Sequence, residues 1–497
     1  MKRRSFIKLS GMGAGAAVTG GILTGIVPGC SKEHPLALIT KPVPVTNGNF
    51  SKPLSFPAEA NATQVLTAQV TTAAPGTKSI RVLGYQPGQM LGPSFRMRSG
   101  ETADILLRNN LSETTNIHWH GLKVPALMDG HPEQIADAGG TFRYQFTLRQ
   151  RAGLSWYHPH PHGLTGKQVF QGLAGLFIIN DAEEALHNLP AGNFELPLVI
   201  QDKRFDASGI PYNPSMEEIM AGYMGENILV NGVHAPFLQV ATQMYRLRIL
   251  NGSNARIYNL ALSNNADMIL IGNDGGLLQQ PVTLKDILIG PGERLDVMVN
   301  FAGLPIGTEV FLQSKTFTHG GDAQGVQEFS ILKFLVNTSA ANSFTVPAQL
   351  SAIPSLSPSA SVKTRKFSIS NAMEHHGVPM NDGMPMRHRI NGKLYDENKI
   401  DETVAANTNE IWEFDNSKGD EPHPMHLHGV FFQVIARMGG RGKIIASESG
   451  WKDTVMVMPG EIVKVIIPFD SNPGKFVFHC HNLEHEDDGM MLQYQIK

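Results

Sequence analysis

Phe478-His479-Cys480-His481, followed by His485 and Met490, gathers a thiol, three imidazoles and a thioether into one short stretch. A soft thiolate with imidazoles and a weak thioether is the donor set of a blue-copper electron-transfer site. Such a site needs a second imidazole, and His423 in His423-Pro424-Met425-His426-Leu427-His428 can supply it. If residues 478–481 are extended, alternate side chains point to opposite faces. Cys480 then faces one way and His479 and His481 the other. One tetrapeptide would join two metal sites through covalent bonds, which suits electron transfer.

The chain holds 19 histidines, and most fall into clusters built on a His-x-His pair. His118-Trp119-His120 and His158-Pro159-His160 lie in the first half, His426-Leu427-His428 and His479-Cys480-His481 near the end. On a strand, each pair projects both imidazoles from one face. Eight such imidazoles can hold several metal ions and are too many for one. A lone His-x-His carries little information; four pairs, one with a cysteine between its histidines, are a specific signal.

These motifs, in this order and with this internal spacing, resemble the multicopper oxidases over roughly residues 40 to 497, most closely the bacterial laccase-like cuprous oxidases. The resemblance implies four copper ions. Type 1 copper takes His423, Cys480, His485 and Met490; type 2 takes His118 and His426; the binuclear type 3 pair takes His120, His158, His160, His428, His479 and His481. It also places Asp129 as an acid near type 2 copper and Glu486 as an acid on a proton route to the type 3 pair. The implied reaction couples four one-electron oxidations to reduction of O2 to water, with Cys480 as the conduit between sites. The reductant would be a phenol, an aromatic amine or Cu(I), with a role in copper tolerance. Broad oxidation of phenols and aromatic amines would need only an accessible edge of His485. The Met- and His-containing segment 373–388 stands where cuprous oxidases carry a Met-rich insert, and Glu421 takes the position of a methionine there. His131 and His162 read as outer-shell or surface residues.

The elements that must position these ligands are strands. A chain of 497 residues with 50 Gly and 31 Pro suggests about three domains of short strands and turns. Three segments echo one another: 101–109, 245–251 and 409–416. Pro291-Gly292-Glu293 likewise matches Pro459-Gly460-Glu461. With the resemblance, they indicate an all-β protein of three cupredoxin-like Greek-key sandwiches, 36–188, 189–345 and 346–497. The middle one is a spacer without copper ligands. A net charge of −3 argues against nucleic acid as a partner. Lys2-Arg3-Arg4-Ser5-Phe6 before a Gly/Ala-rich apolar stretch reads as a twin-arginine export signal over 1–35, so a periplasmic protein is expected. Val27-Pro28-Gly29-Cys30 loosely resembles a lipobox, with lipidation of Cys30 and simple cleavage as alternatives. No transmembrane span is expected in the mature chain, and a monomer is expected. Two other readings are a copper nitrite reductase, a shorter two-domain chain needing a trimer, and a non-catalytic periplasmic copper-sequestering protein.

Overall fold

The computed structural model describes residues 41–371, 388–470 and 472–497. The export-signal and Cys30 readings, and segment 373–387, lie outside them. The described strands form six sheets that pair into three cupredoxin-like sandwiches. The first pairs two four-stranded sheets from strands between Glu59 and Asn180. The second pairs sheets of seven and six strands, from Glu195 to Thr338 with a two-residue strand, Lys52–Pro53, added to its edge. The third pairs two five-stranded sheets between Ser361 and Ile496. Each encloses its own apolar core.

The three echoing segments occupy one structural position. Strands Thr102–Asn109, Met244–Asn251 and Asn409–Asn416 each pair parallel with one neighbour and antiparallel with the other. Alternation explains the first: Ala103, Ile105 and Leu107 point inward while their neighbours face outward. Each strand ends on a buried asparagine. Asn109, Asn251 and Asn416 all donate from Nδ2 to carbonyls of the following connection, at 2.8–3.2 Å. Each asparagine carbonyl accepts from a turn glycine, Gly139, Gly292 or Gly460, at 2.9–3.0 Å. Those glycines have φ of +78, +80 and +78°, the left-handed region that glycine occupies without the Cβ penalty.

The histidine motifs leave the sandwiches on facing surfaces. Trp119 enters the aromatic core of the first with Phe95, Tyr144 and Phe177, so His118 and His120 are turned out of it. In the third, Met425, Leu427, Phe478 and Cys480 belong to the core. Strands His423–Leu427 and Gly474–Cys480 pair antiparallel, with His426 opposite His479, which turns His426, His428 and His479 toward the first sandwich.

Candidate metal centre

Eight imidazoles interdigitate between the first and third sandwiches. His118 stacks on His428 at 3.6 Å between ring centroids and His120 on His426 at 3.7 Å. All eight are buried. His118, His158, His426 and His479 each point Nδ1 at a backbone carbonyl, of Asp129, Pro159, Asp453 and Cys480 respectively, at 2.8–3.0 Å. A carbonyl only accepts, so Nδ1 carries the proton and Nε2 presents its lone pair. His120 is reversed: its Nε2 lies 3.2 Å from Asp453 Oδ1, and its Nδ1 is buried without a partner.

The free nitrogens sort into three groups. His160 Nε2 and His428 Nε2 lie 3.2 and 3.1 Å from His479 Nε2. His118 and His426 face each other, Nε2 to Nε2, at 3.4 Å. His120 Nδ1, His158 Nε2 and both ring nitrogens of His481 have no partner. Burial, with repulsion from neighbouring rings, holds His118, His120 and His481 well below the usual imidazole range and His158 down to about 3. Neutral rings whose lone pairs converge need a cation between them, and several of these sets have ligand atoms close enough to hold a metal ion.

A fourth group forms around the cysteine. Cys480 Sγ lies 3.4 Å from His423 Nδ1 and 3.5 Å from His485 Nδ1, and the two nitrogens are 3.3 Å apart. The centre of a triangle with sides near 3.4 Å is about 2.0 Å from each corner, close to ordinary metal–nitrogen bond lengths. The local sequence builds this site. Asn482 caps the helix Leu483–Asp487, accepting from Glu484 N, while its own N–H donates to Cys480 Sγ at 3.4 Å. The helix returns His485 over the sulfur. Gly489, at φ +99°, ends it, and Met490 is pinned between His485 O, to which its N–H donates, and Cys480 N, from which its carbonyl accepts, at 2.9 and 3.1 Å. Burial pushes the Cys480 thiol up, and a bound cation reverses that by deprotonating the coordinating sulfur.

The two expected acids touch the cluster. Asp129 Oδ2 lies 2.7 Å from His428 Nδ1, and its backbone carbonyl holds His118. Burial raises its carboxyl well above the ordinary range, so a proton shared with His428 is favoured. Glu486 faces His479 Nδ1 at 3.1 Å and His160 Nδ1 at 3.5 Å. Burial would raise Glu486, but the imidazoles beside it outweigh that and hold it low. His131 is buried beside Glu133 and His162 is exposed against Tyr395; neither is among the metal-holding groups.

One expectation is extended. The middle sandwich contributes no ligand among the described residues, yet it is more than a spacer. Its Arg294 reaches Asp453 from Nη1 at 2.7 Å and also donates to Leu154 O, Gly292 O and Asp274 O. Lys452 bridges Asp274 and Glu293 at 2.9 and 2.8 Å. This buried network fixes Asp453 against His120, and its carbonyl holds His426. Nor is the edge of His485 open: its Nε2 donates to Met220 O at 2.8 Å, and His388 covers its ring at 3.9 Å between centroids. The reason is the helix Met216–Ala221 of the middle sandwich, which packs on the cysteine loop. Asp453, Arg294 and Met220 carry no sequence signal as site residues, and His388 enters only as the last residue of the Met- and His-containing segment; Lys452-Asp453 following Trp451 gives no spacing signal.

Three β-sandwiches, a cysteine site and an imidazole cluster joined through a single residue define a multi-metal electron-transfer oxidase. Profiles described as multicopper oxidase match residues 67–184, 155–332 and 365–497. The chain is 35% identical over 417 residues to a multicopper oxidase of Staphylococcus haemolyticus, covering 83% of each. It is 32% identical to a laccase of Bacillus subtilis, covering 84% of this chain and 90% of that one. The crystal structure of the McoA multicopper oxidase of Aquifex aeolicus superposes with a TM-score of 0.81 at 34% identity, covering 90% of this chain and 99% of the other. The chain belongs to the multicopper oxidase family. It is a laccase-like enzyme and its cofactor is copper, which the converging sulfur and nitrogen donors fit.

Proposed function

We propose that this enzyme couples four one-electron oxidations to the reduction of O2 to two waters. His423, Cys480, His485 and Met490 would hold one copper ion. His118 and His426 would hold a second, and His120, His158, His160, His428, His479 and His481 would hold a pair. The observation that carries this reading is the position of Cys480. Its sulfur closes the triangle with His423 and His485, while its chain neighbours His479 and His481 turn into the imidazole cluster. When bound, copper supplies one-electron redox capacity at the cysteine and a multi-electron site for O2 at the cluster.

The protein groups do the rest. The Cys480 backbone links the two sites without a change of contact. Asp129 and Glu486, each on two imidazole-bearing segments, hold protons at His428 Nδ1 and at the His160–His479 pair, where water formation consumes them. Asp453 keeps the proton of His120 on Nε2. The closed ring of His485 favours reductants that deliver an electron without seating on that edge, and small reductants such as Cu(I) meet this requirement. Export to the periplasm, suggested by the twin-arginine motif, would place the enzyme where copper tolerance is needed.

Oxygen uptake by copper-loaded protein with Cu(I) as sole reductant tests the reading, with Cys480→Ser as control. Saturable uptake lost in the variant is the expected result. Equal uptake by both proteins would exclude Cu(I) as the reductant, leaving an organic reductant or a copper-sequestering protein without catalysis.

A further inference from the structure

Building on that function, we propose that His388 is the ring through which a reductant's electron reaches His485 and so enters the cysteine site. His485 is fully buried, and its outward N–H is already committed to Met220 O. Outside the ligand set, the groups in contact with the ring are Met220 O, the Asn482 side-chain amide at 3.1 Å and one further imidazole, itself only 2% exposed, which offers an electron the one aromatic route. His388 is that neighbour: its ring centroid lies 3.9 Å from that of His485, tilted by 39°, and 5.0 Å from that of His423. No other aromatic ring outside the ligand set makes a ring contact with His485 among the described residues.

The two rings are held as a unit. His388 Nε2 donates to the same Met220 carbonyl at 3.0 Å that His485 Nε2 uses at 2.8 Å. A carbonyl oxygen has two lone pairs and can accept from both. Both rings are then protonated on Nε2, which leaves His485 Nδ1 free to face the sulfur. His388 opens the strand His388–Ile390, at the edge of a sheet of the third sandwich, while Met220 closes the contact from the middle sandwich. Two sandwiches thus clamp one imidazole against the ligand ring. Such a rigid contact passes an electron with no bond made or broken. The reductant loses one electron and the cysteine site gains it. His388 ends in its starting redox state, with its proton still on Nε2.

The alternative is that His388 only packs. His388→Phe keeps a flat ring against His485 and loses the hydrogen bond; His388→Leu removes the ring. Each copper-loaded protein would be mixed with ferrocyanide without oxygen, and loss of the thiolate's blue absorption followed in time. The blue absorption before mixing reports that the site is intact, and a redox titration gives its potential. Bleaching of His388→Leu should slow about tenfold or more while His388→Phe stays within about twofold of wild type, with absorption, potential and reoxidation by O2 unchanged in both. Bleaching of His388→Leu at the wild-type rate would overturn the proposal. So would equal slowing of both variants with a shifted potential, which marks a packing role. If the wild-type protein lacks the blue absorption or cannot be bleached, the fault lies in the parent reading of the cysteine site instead.

Discussion

Arg294 and Asp453 offer the sharpest test of how the middle sandwich serves the imidazole cluster. Both side chains are at most 1% exposed. In Arg294→Met the Asp453 carboxylate loses its cation, and three carbonyls lose a donor. Breaking a buried pair by removing one partner costs about 3–5 kcal/mol, and the abandoned carbonyls push the value toward the upper end. Asp453→Asn is the complementary change, leaving the Arg294 charge short of its partner. The double variant Arg294→Met/Asp453→Asn leaves neither charge, so its cost should fall short of the sum by about 2–3 kcal/mol. Urea unfolding of the copper-free proteins measures this cycle. The cluster should also respond. Without a fixed carboxylate, His120 Nε2–H loses its acceptor, and affinity for the ion at His120, His158 and His481 should drop about 10- to 100-fold. Copper content after dialysis against a chelator reads that loss, with the blue absorption of the cysteine site as internal standard. Wild-type copper content and urea midpoint in Arg294→Met would refute the reasoning, as would strict additivity in the double variant.

Gly292 approaches the cluster closely: an added Cβ would sit 3.0 Å from the His481 ring and 3.1 Å from His120, whereas at Gly460, at nearly the same φ, it would meet nothing nearer than 4.0 Å. Both alanine variants should lose about 1–2 kcal/mol from left-handed backbone, but only Gly292→Ala should shed cluster copper while keeping the blue absorption; equal copper contents would refute this. Met490→Leu keeps the buried volume and removes the thioether, so the cysteine site should stay blue with a raised potential; an unchanged redox titration would place Met490 outside the ligand set. Burial lowers buried Lys203 to about 7 despite its neighbours Asp202 and Glu484. Between that value and its unfolded value the unfolded chain binds the extra proton. Stability should therefore rise with pH by about 1.4 kcal/mol per unit above pH 7, and the penalty is fully present below it. Lys203→Met should remove this slope, and parallel wild-type and variant profiles in urea unfolding from pH 7 to 9 would contradict it.

What the sequence makes legible is what a short stretch of chain determines by itself. Alternation along residues 478–481 requires Cys480 and its flanking histidines to part, and they do. The three echoing segments share one place in the fold because each carries the same strand pattern and terminal asparagine. The third copy of the glycine turn went unread: Gly139-Gly140 lacks the Pro and Glu of its counterparts, and only the glycine is demanded by the positive φ. Contacts made across the chain are illegible for a different reason. Arg294 meets Asp453 across 159 residues, and Met220 meets His485 across 265. Nothing local marks Asp453 among the other acids or closes the edge of His485. The reversal of His120 depends on such a contact, so its tautomer could not be read from its motif.

The interleaving of His118 through His160 with His479 through Met490 also sets a timetable for synthesis. At about 5–20 residues per second, the roughly 370 residues between the first ligand and the last take on the order of 20–70 s to make. Throughout that interval the early imidazoles lack the partners that the third sandwich supplies, though His118, His120 and His158 already lie close enough to share one ion. Neither site exists in any amino-terminal fragment, and the cysteine arrives after almost everything else. The complete set of sites is therefore first offered to metal by a finished chain.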